Sequence, residues 1–252
     1  MQQDTQEPKN RQDFDMMRWL RPPPESNGWE NMDTRTVKNW VARICLPATL
    51  LLMAAQVQAQ SLVEGSVDAG KAKSITCTAC HGQAGNSVNP LWPNIAGQNA
   101  TYIVAQLTAF REGARNPGSA TRYDPLMSPQ SMLLSDEDIR DLAVYFEGLP
   151  AAAMAVANPA TVDSAEALYR GGDVEEKVAA CLACHGPTGR GNPAAIYPAL
   201  QGQHSVYTAK QLRDYASGAR SSDGKTRIMR DIAARLSNDD IESLASYVQG
   251  LR

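Results

Sequence analysis

"CTACHG" (residues 77–82) and "CLACHG" (residues 181–186) are the two stretches whose reading decides the fold. A Cys-x-x-Cys-His occurs twice, about a hundred residues apart, in a chain of 252 residues that holds three histidines and five cysteines. The flanks repeat as well. "PNIAGQNATYIVAQLTAF" (93–110) stands over "PALQGQHSVYTAKQLRDY" (198–215), "GAR" (113–115) over "GAR" (218–220), and "LSDEDIRDLAVYFEGL" (134–149) over "LSNDDIESLASYVQGL" (236–251). The offset stays between 102 and 105 residues. The chain is therefore a tandem duplication of a unit of about 90 residues, and repeats of this kind decide the architecture before any local reading does.

Each unit reads as helical. Tyr102, Leu107 and Phe110 fall at spacings that share one helix face. Ser135 with Asp138, and Ser237 with Asp240, place an N-cap residue three positions before an acid, close to a capping box. Ile139, Leu142, Ala143 and Phe146 then form an apolar stripe. No segment alternates like a strand, and Gly, Pro and Asn fill the connections. The expected fold class is all-α, as two small domains, residues 60–149 and 164–252. The Ala/Pro-rich run 150–163 would link them. Units this small and loop-rich need a staple.

The N-terminal part reads as an export signal. Arg35, Lys38 and Arg43 precede an apolar run, Ile44 to Ala55, that is too short to span a membrane. Val57 and Ala59 sit where a signal peptidase reads small residues, so cleavage is expected after Ala59. The residues before Cys45 do not suit lipidation, and Cys45 would leave with the signal. Residues 1–31 put the apolar run unusually deep, which favours a start at Met32 and a signal peptide over 32–59. The net charge of −3 gives no nucleic-acid signature.

In Cys-x-x-Cys-His the two thiols can add across the two vinyl groups of a porphyrin, and the next residue then falls under the iron as proximal ligand. Cys77, Cys80, Cys181 and Cys184 are thus expected to attach two haem c, with His81 and His185 as iron ligands. A redox dithiol does not require the trailing histidine. A four-cysteine zinc site would have to bridge two repeats. For the sixth ligand the first unit offers no second histidine. Met127 stands seven residues before Leu134 and Met229 seven before Leu236, so these two are the axial candidates. Met132 has no counterpart and reads as core. His204 aligns with Asn99 and reads as a surface or interface residue. Pro93 and Pro198 follow the histidines at matched distances, where their carbonyls could hold the imidazole Nδ1–H. Arg115 and Arg220 align and could pair with propionates. Tyr102, Tyr207, Tyr145, Tyr247 and Trp92 read as packing around the haem.

The paired "CxxCHG", the "P-x-x-x-GQ-x-x-x-Y-x-x-x-QL" segment and the methionine before "LS" resemble the di-haem cytochrome c4 family over essentially all of residues 65–252. That resemblance implies two class I cytochrome c domains about a pseudo-two-fold axis, with propionate edges facing each other and both irons His/Met-ligated. It implies an electron carrier in the periplasm rather than an enzyme, working between a quinol-oxidising complex and a terminal oxidase, with loose membrane association in some members. An electron-transfer subunit of a larger dehydrogenase fits the same residues. A di-haem enzyme, such as a peroxidase or a thiosulfate-oxidising enzyme, would need one iron left open or an unusual ligand such as cysteine.

Overall fold

The computed structural model describes residues 61–252. The extension 1–31, the export segment 32–59 with its cleavage point, Met32 and Cys45 lie outside the described residues. The first repeat contains α1 (Val67–Lys73), α2 (Ile75–His81), α3 (Ala100–Arg115), α4 (Met127–Met132) and α5 (Asp136–Glu147). The second contains α6 (Val162–Gly171), α7 (Leu182–His185), α8 (Ser205–Ser217), α9 (Ile228–Ala233) and α10 (Asn238–Gln249). Among the described residues β structure is limited to two isolated bridges, Asp173–Val178 and Asn192–Tyr197.

The last helix of each repeat starts where local chemistry demands. Ser135 Oγ accepts from the Asp138 N–H and the Asp138 carboxylate accepts from the Ser135 N–H, a complete capping box. Ser237 and Asp240 repeat it. Each box satisfies two N–H groups that the helix leaves without a partner. Asp138 also takes a 2.6 Å ion pair from Lys73, which ties α1 to the start of α5. The Lys73 hydrogen bond, ahead of those from Ser135, holds this carboxyl down at about 2.

The apolar stripe of α5 is buried as its period requires: Ile139, Leu142, Ala143 and Phe146 are all within the core. With Val144, and with Ala100 and Ile103 of α3, the last three form the first hydrophobic cluster. In the second repeat Tyr169 of α6 packs on Tyr247 of α10, ring centroids 5.5 Å apart, among Ala165, Leu244 and Val248. On α3, Phe110 is buried and Leu107 packs against the first cluster, as their spacing expects, whereas Tyr102 does not join them. Ile103, Gln106 and Phe110 make the buried face, and Tyr102 turns its hydroxyl toward the other repeat. The physical reason is that a phenol hydroxyl needs a partner when covered, and Tyr102 finds one across the boundary.

Helix α1 crosses α5 at Gly70. A Cβ on Gly70 would come within 2.0 Å of the Asp141 carbonyl oxygen and 2.8 Å of Tyr145 Cβ. Gly70→Ala therefore has to push the two helices apart. We expect a loss of about 1–3 kcal/mol, read as a lower urea midpoint at unchanged slope.

The run after α5 is packed rather than free. Pro150 O accepts from Asn86 Nδ2, Ala155 O from Gln249 Nε2, and the Asn158 N–H donates to Ser246 Oγ. Its small side chains let the backbone lie close to both repeats. At Gly202 (φ +65°) a Cβ would stand 2.0 Å from the Ala152 carbonyl oxygen. Helix α6 begins at Val162, two residues inside the stretch whose composition reads as linker.

Candidate functional site

Helix α2 places Cys77 and Cys80 three residues apart on one side of a single turn, followed at once by His81. Cys77 lies against the first core and Cys181 against the second. No disulfide joins the four motif cysteines. Burial pushes the Cys77 thiol up and the Cys181 thiol up to about 11. A redox dithiol needs a depressed thiol pKa, so these shifts run the wrong way for one. Among the described residues no three His, Cys, Asp or Glu side chains converge to hold a bare metal ion.

His81 and His185 are both buried. His81 Nδ1 lies 2.8 Å from the Pro93 carbonyl oxygen and His185 Nδ1 lies 3.0 Å from that of Pro198. A carbonyl only accepts, so Nδ1 carries the proton in each ring and Nε2 keeps its lone pair. Burial lowers both imidazole pKa values, against the smaller opposing effect of the proline carbonyl. Each ring is thus a neutral nitrogen donor of fixed tautomer.

The two candidate methionines sit at matched places. Met127 opens α4, with its N–H donated to the Asp124 carboxylate at 2.9 Å. Met229 is the second residue of α9, and the carboxylate of Asp223 accepts from the next N–H and from the Arg230 guanidinium. Both methionines are half-buried, whereas Met132 ends α4 with 46 % of its surface exposed. Met132 is therefore no core residue, contrary to its reading from sequence. The loops that lead to Met127 and Met229 touch each other, since the Ser221 N–H donates to Thr121 O at 2.8 Å.

The alignment of Arg115 with Arg220 does not survive in space. Arg115 is exposed and pairs with Glu112 on its own helix. Arg220 is buried, stacked on Tyr215, and donates to Tyr102 Oη at 2.7 Å and Gln106 Oε1 at 2.9 Å. Its spatial counterpart is Arg122, also buried, stacked on Phe110, which donates to Tyr207 Oη at 3.0 Å and Gln211 Oε1 at 3.1 Å. Each arginine stacks on its own repeat and reaches into the other. The loop of the first repeat is longer here, so a short "GAR" match pairs the wrong residue. Tyr102 and Tyr207 belong to this boundary, while Tyr247 packs in the second core and Tyr145 and Trp92 are half-buried. His204 is buried at the boundary, its Nε2 2.9 Å from Ser87 O. Sequence reasoning passed over Arg122, Gln98, Gln106, Gln203 and Gln211. The repeated "GQ" and "QL" pairs were the signal for the four glutamines.

A family model described as "Cytochrome c" matches residues 67–150 and again 175–252. Cytochrome c4 of Azotobacter vinelandii is 41% identical over 203 residues, covering 80% of this chain and 96% of that one. The chain belongs to the di-haem cytochrome c4 family. The crystal structure of reduced recombinant cytochrome c4 from Pseudomonas stutzeri overlays with a TM-score of 0.73 at 43% identity, covering 75% of this chain and all of the other. A relative from Stutzerimonas stutzeri described as "Thiosulfate dehydrogenase electron acceptor" is 34% identical over 178 residues, 69% of this chain and 78% of its own. The fold is that of two cytochrome c domains, and the cofactors of a cytochrome c4 are two haem c.

Proposed function

We propose that this cytochrome c4 is an electron carrier of the periplasm, moving electrons from a quinol-oxidising complex toward a terminal oxidase. Its two domains are residues 60–149 and 164–252, joined by 150–163 and exported by the signal at 32–59. Among the described residues no helix is long and apolar enough to cross a membrane.

In this reading Cys77 and Cys80 hold the first haem and Cys181 and Cys184 the second. His81 with Met127, and His185 with Met229, would hold the two irons. Bound iron would supply one-electron exchange, and a thioether donor added to imidazole would favour its reduced form. The residues fit such a group. Arg122 and Arg220 are two buried cations with no carboxylate within ion-pair distance among the described residues. Buried charge is costly without a counter-charge, and haem propionates would supply one. The protein's own work is rigidity. Fixed imidazoles, packed helix ends and a bonded boundary keep the ligands in place as the charge on each iron changes.

The observation that carries this reading is the duplicated proximal arrangement: a Cys-x-x-Cys-His turn whose buried imidazole donates to a matched proline carbonyl. The relative described as an acceptor for thiosulfate dehydrogenase supports a second donor, a dehydrogenase in place of the quinol-oxidising complex. The test is an absorption spectrum of the exported protein, oxidised, reduced, and reduced under carbon monoxide. The weak far-red iron–thioether band at two-haem intensity, with no change under carbon monoxide, is the expected result. A shift of half the reduced spectrum would mean an open iron and would end the carrier reading for that domain.

A further inference from the structure

The carbonyl that holds each motif histidine belongs to a peptide group that the opposite repeat holds in turn. Gln203, in the second repeat, reaches one residue of the first. Its Oε1 accepts from the Asn94 N–H at 2.9 Å and its Nε2 donates to the Asn94 carbonyl at 2.8 Å. Gln98, in the first repeat, does the same to Ala199: Oε1 accepts from the Ala199 N–H at 2.8 Å and Nε2 donates to the Ala199 carbonyl at 2.9 Å.

Asn94 follows Pro93 and Ala199 follows Pro198, so the geometry is closer than adjacency. The Asn94 N–H and the Pro93 C=O are the two ends of one peptide group. One end donates to Gln203 and the other accepts from His81. The Ala199 N–H and Pro198 C=O likewise join Gln98 to His185. Two chains of hydrogen bonds therefore cross the boundary in opposite directions. Bonds linked through one peptide polarise each other: donation at N–H makes the carbonyl oxygen a better acceptor. A better acceptor at Nδ1–H makes the imidazole a stronger donor at Nε2. Each glutamine is itself oriented, because its Oε1 also accepts the next N–H, Asn99 for Gln98 and His204 for Gln203, both at 3.0 Å.

We propose that Gln98 and Gln203 are positioning residues that tune the histidine of the opposite domain: Gln203 acts on His81, and Gln98 acts on His185. The inference rests on the ligation by His81 and His185 proposed above. The two chains are unequal in their surroundings. Asn94 has further anchors, its Oδ1 accepting from the Ser87 N–H and its Nδ2 donating to Gly202 O, both at 2.7 Å. Ala199 has no side chain that could do this. Gln98 therefore carries more of the load than Gln203.

The test is a redox titration of the exported two-haem protein followed by paramagnetic NMR, with haem methyl signals assigned to each domain through neighbouring residues. A weaker donor stabilises oxidised iron less, so Gln203→Ala should raise the reduced-to-oxidised ratio of the first-domain haem at fixed poise. The expected rise is about threefold, with the second changing less than half as much. Gln98→Ala should raise that of the second-domain haem by nearer tenfold, tenfold being 59 mV for one electron. Thr101→Val removes another bond across the boundary, Thr101 Oγ1 to Pro193 O, and should leave both ratios alone. A change in the glutamine's own domain, an equal change in both, or none, overturns the inference while leaving the ligation intact. Absence of two histidine-ligated low-spin irons in the unaltered protein overturns both. Should the variants not accumulate, the exchange of the Asn94 and Ala199 amides in the unaltered protein decides. Strong protection supports the chains and rapid exchange refutes them.

Discussion

Met229→Ala opens the second iron to carbon monoxide. In the proposed ligation the thioether of Met229 closes that site, and alanine cannot reach. Half of the far-red band should vanish from the oxidised spectrum, and carbon monoxide should shift half of the reduced one. The potential of that haem should fall, since the thioether is what favours reduced iron. The drop should be on the order of 0.1–0.3 V, a fraction of the range that axial ligands span. Met127→Ala should do the same to the other half, and the double variant should leave no band. Met132→Ala is the control. That side chain ends α4 with nearly half of its surface exposed, and its loss should change neither band nor ligand binding. The loops argue for clean single-site effects. Asp124 holds the first turn of α4, and Asp223 with Arg230 holds that of α9, both without help from the methionines. A reduced Met229→Ala protein that ignores carbon monoxide would remove Met229 as ligand, and the second-domain assignment with it.

Local patterns carried the helical elements because each is decided within a few residues. The capping boxes at Ser135 and Ser237 need only their own Asp138 and Asp240, and the stripe of α5 needs only its period. The proximal carbonyls of Pro93 and Pro198 were legible for another reason: duplication fixed their distance from each histidine twice. What escaped lies where two repeats meet. Tyr102 reads as core by spacing, but its hydroxyl is satisfied by Arg220, 118 residues away. Gln98 and Gln203 look like ordinary polar residues before a helix, and only the fold shows the peptide groups they clamp. Arg122 was hidden by an insertion, since a motif match rewards shared letters while the boundary rewards a shared position. The Ala/Pro run read as a linker because small residues suit one. They also suit a strap pressed against Gly202, and composition does not separate the two.

Arg220→Leu should destabilise the haem-loaded protein by about 3–5 kcal/mol and lower both potentials. The argument turns on what balances the arginine. Its guanidinium is met by Tyr102, Gln106, Gln211 and Ser222, which satisfy N–H groups but carry no charge. Arg122 faces the same kind of neutral set, and both arginines donate to Gln106 Oε1. Burial alone would push the Tyr102 phenol up, yet the charges of Arg220 and Arg122 outweigh it and hold the group below its usual range. The cluster thus holds two positive charges with no carboxylate paired to either among the described residues. If propionates of the two haems fill that role, removing one arginine leaves a buried carboxylate uncompensated, the costly half of a broken pair. It would also remove positive charge beside those propionates, which favours the oxidised forms. Without an anion the loss shrinks to that of leaving neutral partners unpaired, about 1–3 kcal/mol. Urea unfolding of the variant therefore distinguishes the two cases by size, and a redox titration adds an independent reading. Arg220→Lys keeps the charge but loses the planar fork and the stacking on Tyr215, so it should restore most of the potential and only part of the stability. Because the two arginines share Gln106, the double variant Arg122→Leu/Arg220→Leu should depart from the sum of the singles by more than the few tenths of a kcal/mol seen for distant sites. Additive losses would mean that the two guanidinium groups answer to separate partners.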